Sequence, residues 1–142
     1  MYRILLPVDS DKARAMSAAK VIGKIPIEPN DIAITILNIH EPVEVSGSEG
    51  GPISSEDWYD EGDMPESVTK VAAFFEDLGA TVELRREHAE PAGTILDVAT
   101  EIDADNIVMS GRKRSPVGKV IFGSVTQSVL LDADRPVTVV PI

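Results

Sequence analysis

The side chains best placed to do chemistry in this sequence cluster between Asn106 and Leu131, NIVMSGRKRSPVGKVIFGSVTQSVLL. That window contains no Asp or Glu, yet its loop carries Arg112, Lys113, Arg114 and Lys119, four of only 13 basic residues in a chain with 24 acids. The apolar run Ile107-Val108-Met109 leads through Ser110-Gly111 into the loop, and Gly123-Ser124-Val125 opens a helical pattern after it. A strand, a basic glycine-containing loop and a helix N-terminus together can bind an anion. Backbone N–H groups and the helix dipole attract negative charge, and Arg and Lys side chains add to it. The same residues also describe a solvated charged connection with Ser124 as a helix cap. The residues alone leave both readings open.

Other candidates are fewer. Asp9 follows the first apolar run, where a carboxylate could accept from a ribose hydroxyl or hold a metal, or could cap a helix. His40 and His88, the two histidines, stand near the ends of two strands. Metal or general-base work would need partners that their spacing does not supply, so both read as structural. Gly118-Lys119 is no P-loop, because the spacing from Gly111 is wrong and Val120 stands where Ser or Thr is required. Ser124 lacks the G-x-S-x-G context of a hydrolase nucleophile. No metal site and no dedicated catalytic set is expected, and an enzyme of phosphate transfer ranks behind ligand binding and protein interaction.

The totals set the frame. With 142 residues, one domain spanning 1–142 is expected, large enough for a real core. There is no cysteine, which excludes disulfides, thiol chemistry and Cys-ligated metals. The net charge of −11 disfavours nucleic acid and anionic membrane surfaces as partners. No apolar run is long enough for a membrane span or a signal peptide, so the expected location is the cytoplasm. Scarce lysine and abundant acid would suit a halophilic cytoplasm, where salt screens the repulsion, but an acidic mesophile protein fits as well.

Taken in order, residues 3 to 8 read as a strand buried on both faces. Asp9-Ser10 supplies cap chemistry for a helix with Ala15, Ala18, Ala19 and Ile22 on one face. Ile32 to Ile39 is the strongest strand. From His40 to Pro65 the pattern disappears, leaving a long acidic connection in which Trp58 and Tyr59 read as surface anchors. A helix follows through Val68, Val71, Ala72 and Phe75, ending at Gly79, and then an edge strand from Thr81 to Glu87. Pro91 opens a third helix with Ile95, Val98, Ala99 and Ile102 on one face. After the strand and basic loop come a fourth helix carrying Val125, Val129 and Leu130 and a final strand from Val137. Strand and helix alternate throughout, five strands and four helices. The expected fold is α/β, a five-stranded parallel sheet with helices on both faces. Ligands in such sheets bind at the carboxyl ends of the strands where strand order reverses, here between the first and fourth.

The chain resembles the universal stress proteins over essentially its full length. The matching pieces are Ile4-Leu5-Leu6-Pro7-Val8-Asp9, Leu37-Asn38-Ile39-His40-Glu41-Pro42, Ala104-Asp105-Asn106-Ile107-Val108-Met109, Phe122-Gly123-Ser124-Val125 and Arg135-Pro136-Val137-Thr138-Val139-Val140. The resemblance implies a flavodoxin-like, adenine-nucleotide α-hydrolase-like sheet of order 3-2-1-4-5. It also implies a stress-response regulator binding ATP with Mg, or another phosphorylated ligand. The site it implies comprises Pro7, Val8, Asp9, Ile39, Met109, Ser110, Gly111, Arg112, Arg114, Gly123, Ser124 and Val125. The family's ATP-binding loop has the form G-x2-G-x9-G-[ST]. Here Gly123-Ser124 matches the last pair, but Ser110 and Lys113 take the first two glycine positions. Aligned on Gly111 instead, Arg114 takes the second, and the spacer is one residue short. Either way the second glycine is missing, and with it the freedom to reach positive φ beside a phosphate. The alternative is therefore a dimeric interaction module of the same family that binds no nucleotide and acts through protein partners. In the family's strand order the uncharged run Val137 to Val140 lies at an edge, where it would pair with its copy in a homodimer.

Overall fold

The first strand, β1 (Tyr2–Pro7), forms because Ile4, Leu5 and Leu6 are apolar in succession, and all three are fully buried. Alternate side chains leave opposite faces of a strand, so an unbroken apolar run requires cover on both sides. The computed structural model describes residues 1–40, 44–45, 53–54, 64–111 and 122–141. Helix α1 (Lys12–Ile22) buries Ala15, Ala18, Ala19 and Ile22, as its periodicity predicts. Its cap differs from expectation. Asp11, not Asp9 or Ser10, accepts the backbone N–H of Arg14 at 3.0 Å, because the helix starts only at Lys12, five residues after β1 ends.

A single 3₁₀ turn, Pro29–Asp31, leads into β2 (Ile32–His40). Within the connection that showed no pattern, β3 (Glu44–Val45) and β4 (Ile53–Ser54) form a short antiparallel pair. Trp58 and Tyr59 lie outside the described residues. Helix α2 (Glu66–Leu78) packs Val68, Val71, Ala72 and Phe75 inward and stops at Gly79, whose φ of +95° is a left-handed geometry that favours glycine. Strand β5 (Thr81–His88) and helix α3 (Pro91–Glu101) follow, with Pro91 in the first turn and the Glu90 carboxylate capping the N–H groups of Ala92 and Gly93. Ile95, Val98 and Ala99 are buried as expected, whereas Ile102 falls just past the helix and is half-buried.

Strand β6 (Asn106–Ser110), helix α4 (Ser124–Asp132) and strand β7 (Val137–Val140) complete the order. In α4 the inward residues are Thr126 and Val129; Leu130, expected inward, is 39% exposed. One residue turns a helix by about 100°, so Val129 and Leu130 cannot both face the sheet squarely.

The main sheet runs β5-β2-β1-β6-β7 and is parallel throughout, which is the order 3-2-1-4-5 when its strands are counted along the chain. One core layer joins the sheet to α1 and α2 through Ile4, Leu6, Ile34, Ile36, Val68 and Phe75. The other joins its opposite face to α3 and to Val129 of α4 through Leu5, Leu37, Ile95, Val98 and Ile107. From β1 the chain goes on to β2 on one side and later enters β6 on the other. That reversal opens a gap at the carboxyl ends of β1 and β6.

Candidate functional site

The gap is shaped by the turn that leaves β1. The Val8 N–H donates to the Leu37 carbonyl at 2.9 Å, and the buried Asn38 amide donates to the Val8 carbonyl at 2.9 Å. The hydroxyl of Ser67, on α2 and 1% exposed, donates to the Asp9 carbonyl at 2.5 Å. Peptide groups leaving a central strand lose their ladder partners and must find others. Here a β2 side chain and an α2 side chain supply them. The ion pair of Lys12 with Glu66, at 2.7 Å, ties α1 to α2 one residue before Ser67. Hydrogen bonds from Lys12 and then Lys70 hold the Glu66 carboxyl below its ordinary pKa.

The Asp9 carboxylate is engaged through both oxygens. One accepts the Asp11 N–H at 2.9 Å, and the other accepts from the Arg14 guanidinium at 3.0 Å. Arg14 reaches Asp11 as well, at 3.3 Å. With the Asp9 side chain 57% exposed, this pairing adds at most about 1 kcal/mol of stability. Its effect is to fix geometry.

The resulting crevice has a volume of about 330 Å³, within the size range of small-molecule sites. Of the residues expected at the site, Pro7, Val8, Asp9, Ile39, Met109, Ser110, Gly123, Ser124 and Val125 line it. Gly111 does not. It is buried, and its N–H donates to the Val140 carbonyl at 2.7 Å, extending the β6–β7 ladder. Arg112 and Arg114 fall outside the described residues. Arg14, Ala15, Leu37, Pro91, Ile95 and Thr126 also line the crevice, and the sequence reading missed them. The apolar ones look like ordinary core positions in a sequence. Arg14 carried a usable signal, since a cation in the first turn of the helix after Asp9 must lie near the strand end.

On the far wall stands the start of α4. Gly123, in extended conformation, occupies the cap position with no side-chain cap bond, and Ser124 is the first helical residue. Ser124 therefore does not cap the helix. The opening N–H groups of a helix have no acceptor within it, and here the residues that carry them border the crevice. Asp9 and Arg14 are the charged residues of the described wall; most of the rest is apolar.

The histidines lie elsewhere. His40 and His88 occupy paired positions of β2 and β5, and His88 is not among the residues lining the crevice. Among the described residues no group of three or more His, Asp or Glu could hold a metal ion. Nor is any described helix long and apolar enough to cross a membrane.

The model of the universal stress protein family matches residues 1–141. A universal stress protein of Mycolicibacterium smegmatis is 36% identical over 78 residues, a match spanning 51% of this chain and 57% of that relative. The structure of a universal stress protein from Archaeoglobus fulgidus is similar with a TM-score of 0.65 and 26% identity, covering 99% of this chain and 98% of the other. A structure of the universal stress protein from Archaeoglobus fulgidus in complex with dAMP has a TM-score of 0.59 and 21% identity, covering 99% and 98% of the two chains.

Replacing Asn38 with Ala removes the donor to a buried carbonyl and leaves that carbonyl unsatisfied, at a cost of about 1–3 kcal/mol. Equilibrium urea unfolding of Asn38→Ala should show that loss. A midpoint equal to that of the parent chain would mean the amide is not what holds the turn.

Proposed function

The chain belongs to the universal stress protein family, and on that premise we propose that its crevice takes an adenine nucleotide or another phosphorylated ligand. In this reading the protein is a stress-linked regulator of the cytoplasm, not a dedicated catalyst. One observation carries the proposal: the ends of β1, β2 and β6 and the first turn of α4 wall one crevice whose lining joins apolar residues with Asp9, Arg14, Ser110 and Ser124. A purine base would lie against Val8, Ile39 and Met109, where burying its faces is favourable. Asp9 would accept from ribose hydroxyls. The N–H groups at the start of α4, with the Ser124 hydroxyl, would hold phosphate. Arg112 and Arg114, which follow Gly111 in the sequence, would add charge. Magnesium accompanying a triphosphate is held mostly by phosphate and water, so the protein need offer little. The dAMP complex describes its own protein; it names a sensible first compound to try.

A second reading rests on the loop and on β7. Lys113 or Arg114 stands where the family's ATP-binding loop has its second glycine, which favours a dimeric module acting through protein partners. β7 is an uncharged edge strand. Because Val140 and Pro136 offer their carbonyls to β6, the intervening Val137 and Val139 turn their backbone groups outward. An antiparallel copy of β7 could pair there.

Thermal unfolding in high salt with ATP–Mg, AMP or inorganic phosphate tests the first reading. A nucleotide at a hundredfold excess over Kd should raise Tm by about 5–10 °C, and Gly123→Val, which sets a branched side chain on the phosphate wall, should abolish the rise. No shift with any compound would favour the interaction module. For the dimer, sedimentation at micromolar concentration should give twice the 15.2 kDa chain mass, and Val139→Pro, which removes an outward N–H, should return the monomer. A parent chain that sediments as a monomer would contradict the pairing.

A further inference from the structure

We infer that Arg14 sets the crevice's preference for a phosphorylated over an unphosphorylated ligand, an inference that rests on the ligand-binding reading above. Arg14 was not among the residues expected to bind. Three observations bring it into the site. Its side chain lines the crevice and is about two-thirds covered, at 32% exposure. Its carbonyl accepts a hydrogen bond from the Ser110 hydroxyl at 3.4 Å, so it sits beside the residue that starts the basic loop. Its guanidinium is held in place by Asp9 and Asp11.

A guanidinium has five N–H donors in a rigid fork. Asp9 and Asp11 each occupy one of the terminal nitrogens, and the remaining donors suit an anionic oxygen in the same crevice. Charge makes the same case. In a chain of net charge −11, an incoming phosphate would meet the Asp9 carboxylate. Arg14 is the described cation on that wall; shared between Asp9 and Asp11, it offsets part of their charge and leaves donors to spare. It also offers by side chain the phosphate contact that the loop, lacking its second glycine, is less able to offer by backbone. A neutral nucleoside gains nothing from this arrangement, whereas a phosphate does.

The test is calorimetric titration of the intact chain with adenosine and AMP. It compares the parent with Arg14→Gln, Arg14→Lys, Asp9→Asn and the double variant Asp9→Asn/Arg14→Gln. The parent should bind AMP more tightly than adenosine. Arg14→Gln should weaken AMP by roughly 10–100-fold with adenosine nearly unchanged, and Arg14→Lys should recover part of the loss. The double variant should keep an AMP-to-adenosine ratio well below that of Asp9→Asn alone. An unchanged ratio in Arg14→Gln would overturn the inference. So would a double variant whose ratio matches Asp9→Asn, since Arg14 would then act only by screening Asp9. If the parent binds neither adenosine nor AMP, the nucleotide reading fails by itself, and pyrophosphate decides the role of Arg14. Pyrophosphate binding that Arg14→Gln abolishes would sustain it, and no binding would overturn it. The partly exposed Asp9–Arg14 pair adds little to folding, and circular dichroism of each variant checks that the fold is kept.

Discussion

Two side-chain hydrogen bonds, from Asn38 to the Val8 carbonyl and from Ser67 to the Asp9 carbonyl, hold the turn on which the crevice is built. β1 is the central strand of the sheet and is covered on both faces. Where it ends, the Val8 carbonyl is still buried and the Asp9 carbonyl partly so, and a buried carbonyl left without a donor is costly. Water could serve the Val8 carbonyl only if the turn opened to solvent. With Asn38 and Ser67 in place the turn stays closed, and Asp9 is set at the crevice mouth with its carboxylate against Arg14. The same bonds tie that mouth to β2 and to the start of α2, so neither element can move without disturbing it.

Electrostatics then decides what kind of molecule this mouth can admit. The chain as a whole repels anions at long range, but screening shortens that repulsion to about 8 Å at physiological ionic strength. Inside that distance the local arrangement governs. There the Asp9 charge is met by Arg14, and the start of α4 contributes the partial positive charge of a helix N-terminus. A crevice whose lining carboxylate is met by an arginine, in a strongly acidic protein, suits the small phosphorylated ligand proposed above.

Much of this was legible in the sequence, for identifiable reasons. The apolar triplet Ile4-Leu5-Leu6 dictates a two-sided strand, and the Phe75 helix with Gly79 behind it dictates a helix and its stop. Alternation of strands and helices then gives the sheet, and the family pattern its strand order. The misses at the turn depend on contacts between residues far apart in the chain. Asn38 and Ser67 look like ordinary polar residues until the fold carries them 30 and 58 positions back to the β1 turn. Leu130 reads as core by its type, yet the phase of α4 is set by Thr126 and Val129. The cap fell to Asp11 because two acids stood within reach of the helix start, and composition cannot choose between them.

The most direct measurement is a backbone-amide NMR titration of the isotope-labelled chain with AMP. If the crevice is the binding site, shifts should concentrate at Asp9, Ile39, Ser110 and the residues from Gly123 to Val125 and saturate together with one Kd. The paired β2–β5 ends at His40 and His88 should stay still. Shifts spread over the β7 edge, or a spectrum that does not change with millimolar AMP, would contradict the account and turn attention to a protein partner.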